Sequence, residues 1–301
     1  MNGTATSNPG GGSVMLLPRK RKVSGRRVTI LPLLPFFLFI AYFLIFPLYE
    51  VCKDAFVDND GNFTLQNFAL SFKGVYLQSF GVSMRLSFTS ALIGAVAGAG
   101  LSSAIVKFGK KSRRVVLATS SVLANTGGVP LAFMFIASFG PEGLVPKTLK
   151  LIGINIYAGN FTLFSVSGLV LVYTFFQIPL MVLVFTPALE NMRIEWRQAS
   201  DSLGGSGWHY LRYIAIPVLF PPFFATLLLL FANAFSAYAT ARAMIAGTIA
   251  LVPILIGNLV DGNVMSQQQH LGHALALCMI GFSIIVMGLY VVTLRATQRR
   301  Q

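Results

Sequence analysis

The residues of this chain that could do chemistry sit where polar groups are costly. Asn125, Gln177, Asn233, Tyr238 and Arg242 fall within or beside runs apolar enough to cross a bilayer. A polar side chain in such a run must bond to a neighbouring helix or face a water-filled path, so these five are the candidate lining of a solute path. For the Asn and Gln residues the plainer account, a helix-to-helix hydrogen bond, carries more weight. Arg242 is different, because a bare guanidinium in lipid is very expensive. It should face a cavity, pair with an acid such as Asp261, or reach the outer interface. No acid lies inside a predicted span, and carboxylates or aromatic faces are what normally hold a polycation. A path built from these side chains therefore suits an anion or zwitterion at least as well.

Other chemistries find less support. His270 and His273, after Gln267, Gln268 and Gln269, have the same-face helical spacing that metal sites use. With no Cys, Asp or Glu beside them in sequence they read as polar residues entering the last span, and no metal site is expected. Serines and histidines are present, but there is no Gly-x-Ser-x-Gly elbow and no acid partner, which leaves an intramembrane hydrolase as an alternative with little behind it. No Gly-x-x-x-x-Gly-Lys-Ser/Thr phosphate loop occurs, so any nucleotide-derived energy must come from another chain. The two cysteines, Cys52 and Cys278, make neither a disulfide framework nor a thiolate site.

The elements that must position these residues are membrane helices. The chain is 55% hydrophobic and only 11% charged, against roughly 25% charged in a soluble domain. Apolar runs predict six spans, near Val28–Tyr49, Gly81–Val106, Val115–Phe139, Leu163–Pro187, Val218–Ala241 and Leu271–Leu294, each close to the ~20 residues a bilayer requires. The first run is too long for a signal peptide and has no small-residue cleavage site, so it is read as a retained helix over residues 28–50. Residues 1–27 are predicted to be a disordered basic terminus, rich in Gly, Ser, Asn and Thr before Arg19-Lys20-Arg21-Lys22. Residues 51–80 form an expected extracytoplasmic loop, 81–294 the transmembrane core, and 295–301 a tail.

The net charge of +14 could belong to a nucleic-acid binder, but the Lys and Arg cluster between apolar runs rather than in one face or stripe. Six precede the first span, and Lys107, Lys110, Lys111, Arg113 and Arg114 follow the second. Arg193, Arg197 and Arg212 follow the fourth, and Arg295, Arg299 and Arg300 the last. Glu50, Asp54, Asp58, Asp60, Glu142 and Asp261 fall on the opposite side of that alternation. The positive-inside rule then puts both termini in the cytoplasm. Lipid, and not nucleic acid, is the expected surrounding. Within the second span Gly94-x-x-x-Gly98 puts small residues on one face, which predicts close helix packing.

Between the fourth and fifth spans lies a polar island, residues 188–217. Helix formers run from Ile194 to Leu203, Gly204-Gly205-Ser206-Gly207 must break that helix, and a second short helix is expected from Trp208 to Ile216, ahead of Pro217. By itself this could be an interfacial hairpin anchored by Trp196 and Trp208, the only tryptophans. The spacing Gln198-Ala199-Ser200, three residues, Gly204, nine residues, Ile214, one residue, Ile216-Pro217 resembles the cytoplasmic loop of permease subunits of binding-protein-dependent ABC importers. In that family the pattern is Glu-Ala-Ala-x3-Gly-x9-Ile-x-Leu-Pro, so Gln198 stands where the family usually has glutamate and a neutral contact is expected there. The wording Asp201-Ser202-Leu203-Gly204-Gly205-Ser206, Phe231 to Ala241 and Leu251 to Gly257 looks more like the polyamine, iron, sulfate or aminoethylphosphonate branch than the sugar branch.

The resemblance implies an all-α fold of six transmembrane helices, the type I importer permease fold. It also implies half of a translocation path for a small polar solute of the polyamine, phosphonate or iron type. The implied partners are a dimer of ATP-binding subunits, which would hold ATP and Mg, a second permease subunit, and an extracytoplasmic solute-binding protein. The chain itself is expected to bind no cofactor, to be no enzyme, and to lie in the bacterial inner membrane. Gln198, Ala199, Ser200, Gly204 and Trp208 are the residues carried over as the ATPase-docking set. An ATP-independent secondary transporter or channel is the alternative, although it usually couples ions through intramembrane carboxylates that this chain lacks.

Overall fold

The computed structural model describes residues 34–58, 60–159, 161–245, 248–261 and 269–298. The predicted N-terminus 1–27 and the end of the tail, 299–301, lie outside them. The chain divides into two units, Met1–Tyr49 and Glu50–Gln301. In the first, helix α1 (Leu34–Ala55) begins, with a π-helical turn at Ala41–Ile45. Its Phe36, Phe37, Phe39, Phe43 and Phe46 are all exposed.

The second unit holds the end of α1 and eleven more described helices. They are α2 (Gln66–Ser71), α3 (Gly74–Ile105), α4 (Lys110–Ala124), α5 (Val129–Phe139), α6 (Leu144–Leu151) and α7 (Val166–Glu190). Then come α8 (Ile194–Ser202), α9 (Gly207–Phe235), α10 (Tyr238–Ile245), α11 (Val252–Val260) and α12 (Gln269–Gln298). Among the described residues six stretches are long and apolar enough to span a membrane: Leu34–Ala55, Gly74–Ile105, Val129–Leu151, Val166–Glu190, Gly207–Phe235 and Gln269–Arg295.

The spine of the bundle is α3 against α7, and glycine makes it possible. A Cβ on Gly94 would fall 2.7 Å from the Gln177 Cβ, and one on Gly98 would fall 2.5 Å from the Met181 Cβ and 2.9 Å from the Ile178 carbonyl oxygen. The Gly94-x-x-x-Gly98 face is thus used within the chain, as a backbone-to-backbone approach. Around it, Ala91, Ala95, Met181, Phe185, Leu230 and Phe235 form one apolar core, while Leu131, Phe135, Leu169, Tyr173, Met244 and Ile254 form another. Serines along α3 bond locally or cap neighbours: the Ser83 hydroxyl accepts the Val252 N–H that opens α11, at 3.0 Å.

Four expectations are corrected. The predicted third span, Val115–Phe139, is two helices with a break at residues 125–128. Gly128 has φ +87°, and Pro130 sits in the first turn of α5, where its missing N–H costs nothing. Hydropathy alone runs straight over such a break. The predicted fifth span, Val218–Ala241, ends at Phe235, and Ala241 belongs to the separate α10. The separate short helix expected over Trp208–Ile216 does not exist, because α9 runs unbroken from Gly207. A π turn at Leu211–Ala215 absorbs the ring and missing N–H of Pro217. The loop expected at 51–80 also contains structure: α2, held to the end of α1 by Asn67 donating to the carbonyls of Ala55 at 3.3 Å and Val57 at 3.0 Å, and the first turns of α3.

Candidate functional site

The α8–α9 connection is a fixed corner. At the end of α8 the Gly205 N–H donates to the Ser200 carbonyl at 2.9 Å and the Gly204 N–H to that of Asp201 at 3.0 Å, with Gly204 at φ +76°. This paired bonding, with a left-handed glycine just past the helix end, satisfies carbonyls that would otherwise be orphaned. Gly204 has open space around it, but a Cβ on Gly205 would fall 2.8 Å from the Ser200 carbonyl oxygen. The chain then turns into α9, where the Ser206 hydroxyl accepts the His209 N–H at 3.4 Å and lies 2.7 Å from His209 Nδ1. Across the corner, the Arg197 guanidinium, 3.8 Å from Asp201, lies 5.6 Å from the centre of the Tyr210 ring, a cation–π contact that ties α8 to α9.

Between the two helices opens a mainly apolar groove of about 490 Å³, lined by Trp196, Ala199, Ser200, Leu203, His209 and Tyr213 among others. Leu203 is 89% exposed and Trp208 62%. Of the five docking candidates, Ala199 and Ser200 line the groove, while Gln198, Gly204 and Trp208 are exposed around it.

A second feature assembles where two helix breaks meet. Asn125, at the end of α4, Asn233, near the end of α9, and Tyr238, at the start of α10, line one polar hollow of about 470 Å³ together with Gly128, Phe176 and Thr240. Thr240 closes the junction: its hydroxyl accepts the Gly128 N–H at 2.9 Å and donates to the Gly128 carbonyl at 3.2 Å. Tyr173 donates to the Ala237 carbonyl at 2.7 Å from below the break. Asn125 bonds back to Ser121 O in its own helix at 2.9 Å, whereas the exposed Asn233 carboxamide makes no hydrogen bond among the described residues.

The other two path candidates lie elsewhere. Gln177 is fully buried between α3 and α7, where it donates to the Ser90 hydroxyl at 3.0 Å, so it is a helix-to-helix bond and does not line the hollow. Arg242 is half-buried and donates to the Asn258 side-chain carbonyl on α11, a neutral acceptor in place of the acid that was one of its three expected placements. An acid does meet the histidines, though from far along the chain. His270 Nδ1 lies 3.1 Å from the Asp54 carbonyl oxygen and His273 Nδ1 3.9 Å from the Asp54 carboxylate. No group of three His, Cys, Asp or Glu able to hold a metal occurs among the described residues.

With this geometry stand the comparisons. Residues 90–299 match the family described as binding-protein-dependent transport system inner membrane component. The chain belongs to this family. The permease is similar to the thiamine transport system permease of Escherichia coli, 26% identical over 51% of this chain but only 28% of that one. It thus spans about a quarter of the length of the thiamine permeases it matches. It is 30% identical to the molybdenum transport system permease of Haemophilus influenzae over 42% of this chain and 54% of the other. Against a probable sulfate transport permease of Chlorella vulgaris it is 20% identical, over 73% and 78%. In fold it resembles a crystallised bacterial ABC transporter for import of the acidic polysaccharide alginate, with a TM-score of 0.68 at 16% identity over 91% of this chain and 96% of that one. It is a multi-pass inner-membrane transport component.

Two parts of the permease's site escaped the sequence. Arg113 at the start of α4 pairs with Glu190 at the end of α7, at 2.9 Å, which puts the basic stretch Lys110–Arg114 at the same end of the bundle as the α8–α9 corner. Nothing local announces a pair so far apart in sequence. The break beneath the hollow did have a signal, since Gly127-Gly128-Val129-Pro130 combines a flexible pair with a helix-starting proline.

Proposed function

We propose that this permease forms half of the translocation path of an ABC importer, with both termini cytoplasmic, and that its α8–α9 corner is the docking point for a separate ATPase. The observation that carries the reading is the corner itself. It bears an apolar groove, is braced by the Gly204–Gly205 turn and the Arg197–Tyr210 contact, and joins two spanning helices without a linker. Such a corner turns closure of an ATPase dimer into movement of the membrane helices. Its place at the basic end of the bundle supports the cytoplasmic assignment. Gln198, Ala199, Ser200, Gly204 and Trp208 form the docking surface, with Leu203 and Tyr213 added to it. ATP and Mg belong to the ATPase dimer. A second permease subunit completes the path, and an extracytoplasmic solute-binding protein delivers the solute.

The solute reading follows the hollow. Asn125, Asn233, Tyr238 and Thr240 offer amides and hydroxyls, and among the described residues no carboxylate lines that space, so a small polar anion or zwitterion is held better than a polycation. Within the expected polyamine, phosphonate or iron-type range, this favours a phosphonate-like solute. The similar permeases for molybdenum and sulfate are in keeping with that chemistry.

The test is Gly204→Asp in the assembled complex. A Cβ there meets no atom and aspartate is among the residues that tolerate a left-handed φ, so the protein should fold while a charge projects into the docking face. ATP hydrolysis should then run without coupled uptake, or the ATPase should dissociate. A complex that couples hydrolysis to uptake as well as wild type sinks the docking assignment.

A further inference from the structure

Tyr238, like its neighbour Ser236, lines the hollow and also borders a second, mainly apolar cavity of about 540 Å³, together with Pro253, Ile256 and Met279. Its ring therefore stands in the wall between the two spaces, and what fixes it lies on α11. A Cβ on Gly257 would fall 3.0 Å from the Tyr238 hydroxyl oxygen, 3.1 Å from Cε2 and 3.2 Å from Cζ. These distances are tighter than ordinary packing, so the ring lies directly against the bare glycine backbone. One turn further along α10, Arg242 is bonded to Asn258, the residue after Gly257. That clamp fixes α10 against α11, so a side chain added at residue 257 must displace the ring and not the helix.

We propose that Gly257 is a positioning residue for the solute path, seating the Tyr238 ring in the wall of the hollow, with the Arg242–Asn258 bond holding the two helices in register. The inference rests on the reading of the hollow as the path. It assigns no solute contact to Gly257, which acts only through Tyr238. Displacement by a few tenths of an ångström is small, but the ring borders both spaces, so any shift of it alters the width of the hollow.

The experiment uses the full transporter with Cys52→Ser, Cys278→Ser and Asn233→Cys, and measures the labelling rate of the introduced thiol by trimethylammonium-ethyl methanethiosulfonate, along with the thermal midpoint. Gly257→Ala should shift the labelling rate, and should have no effect once Tyr238→Ala is also present, since the displaced ring is then absent. The midpoint should show the same non-additivity. An equal effect of Gly257→Ala in both backgrounds, on both measurements, overturns the seating. If the midpoints are non-additive but labelling ignores both substitutions, the seating stands and the reading of the hollow as a path fails. Gly257→Ser serves as the second variant should alanine be absorbed by the neighbours, and it must obey the same dependence on Tyr238.

Discussion

Three glycines within four positions of the corner have different jobs, and alanine at each should separate them. At Gly205 a Cβ would lie 2.6 Å from the Ser200 hydroxyl oxygen and 2.8 Å from its carbonyl oxygen. The hydroxyl can rotate away, but the carbonyl belongs to the helix. To relieve the clash the turn must open, losing the 2.9 Å bond from the Gly205 N–H, about 1 kcal/mol, with packing strain of about 1–2 kcal/mol beside it. If docking requires the closed turn, the affinity of the membrane complex for its ATPase should fall by roughly 30- to 150-fold. Gly204→Ala meets no atom and loses only its ease at φ +76°, about 1 kcal/mol or roughly fivefold. Gly207 meets nothing and has no positive φ, so alanine there should stay within about 0.5 kcal/mol. The assay is equilibrium binding of the purified ATPase to the permease complex in nanodiscs. The reasoning is refuted if Gly207→Ala weakens binding as much as Gly205→Ala, or if Gly205→Ala leaves it unchanged.

Two further outcomes follow from the packing. Gly98→Ala should lower the thermal midpoint of the detergent-solubilised complex, since its Cβ would collide with Met181 and the Ile178 carbonyl; overpacking of this kind costs about 1–3 kcal/mol, and Gly100→Ala on the open side of the same helix should be neutral. The Arg113–Glu190 pair, each about one-third exposed, should show a coupling of at most about 1 kcal/mol in a double-mutant cycle of unfolding, shrinking as salt is raised.

The spans were legible because twenty apolar residues in a row have few other uses, and the family loop was legible because its glycine and proline spacing is local. What stayed hidden was anything that depends on two distant segments meeting. The His270–Asp54 contact joins residues 216 apart, and the Thr240 latch on Gly128 joins residues 112 apart. Neither leaves a trace in periodicity. The helix break at residues 125–128 was obscured for the opposite reason: its neighbours are so apolar that average hydropathy stays high across it. Among the path candidates, residue type alone did not separate Gln177, buried in a helix seam, from Asn233, open to the hollow. Gly205 was passed over beside Gly204 because a glycine needed for lack of room looks the same in sequence as one needed for its dihedral angle.

Because Pro217 is absorbed by a π turn instead of ending a helix, the corner and the hollow share one rod. Residues 207–235 form 29 consecutive helical residues, about 43 Å of rise, with Trp208 at one end and Asn233 near the other. A swing of about 5° around one end carries the opposite end through roughly 4 Å over such a length, comparable to the width of a small solute. On the docking proposed above, this rod, which carries Pro221 and Pro222 along its length, would work as a crank arm that enlarges a modest push on one face of the membrane before it arrives at the other.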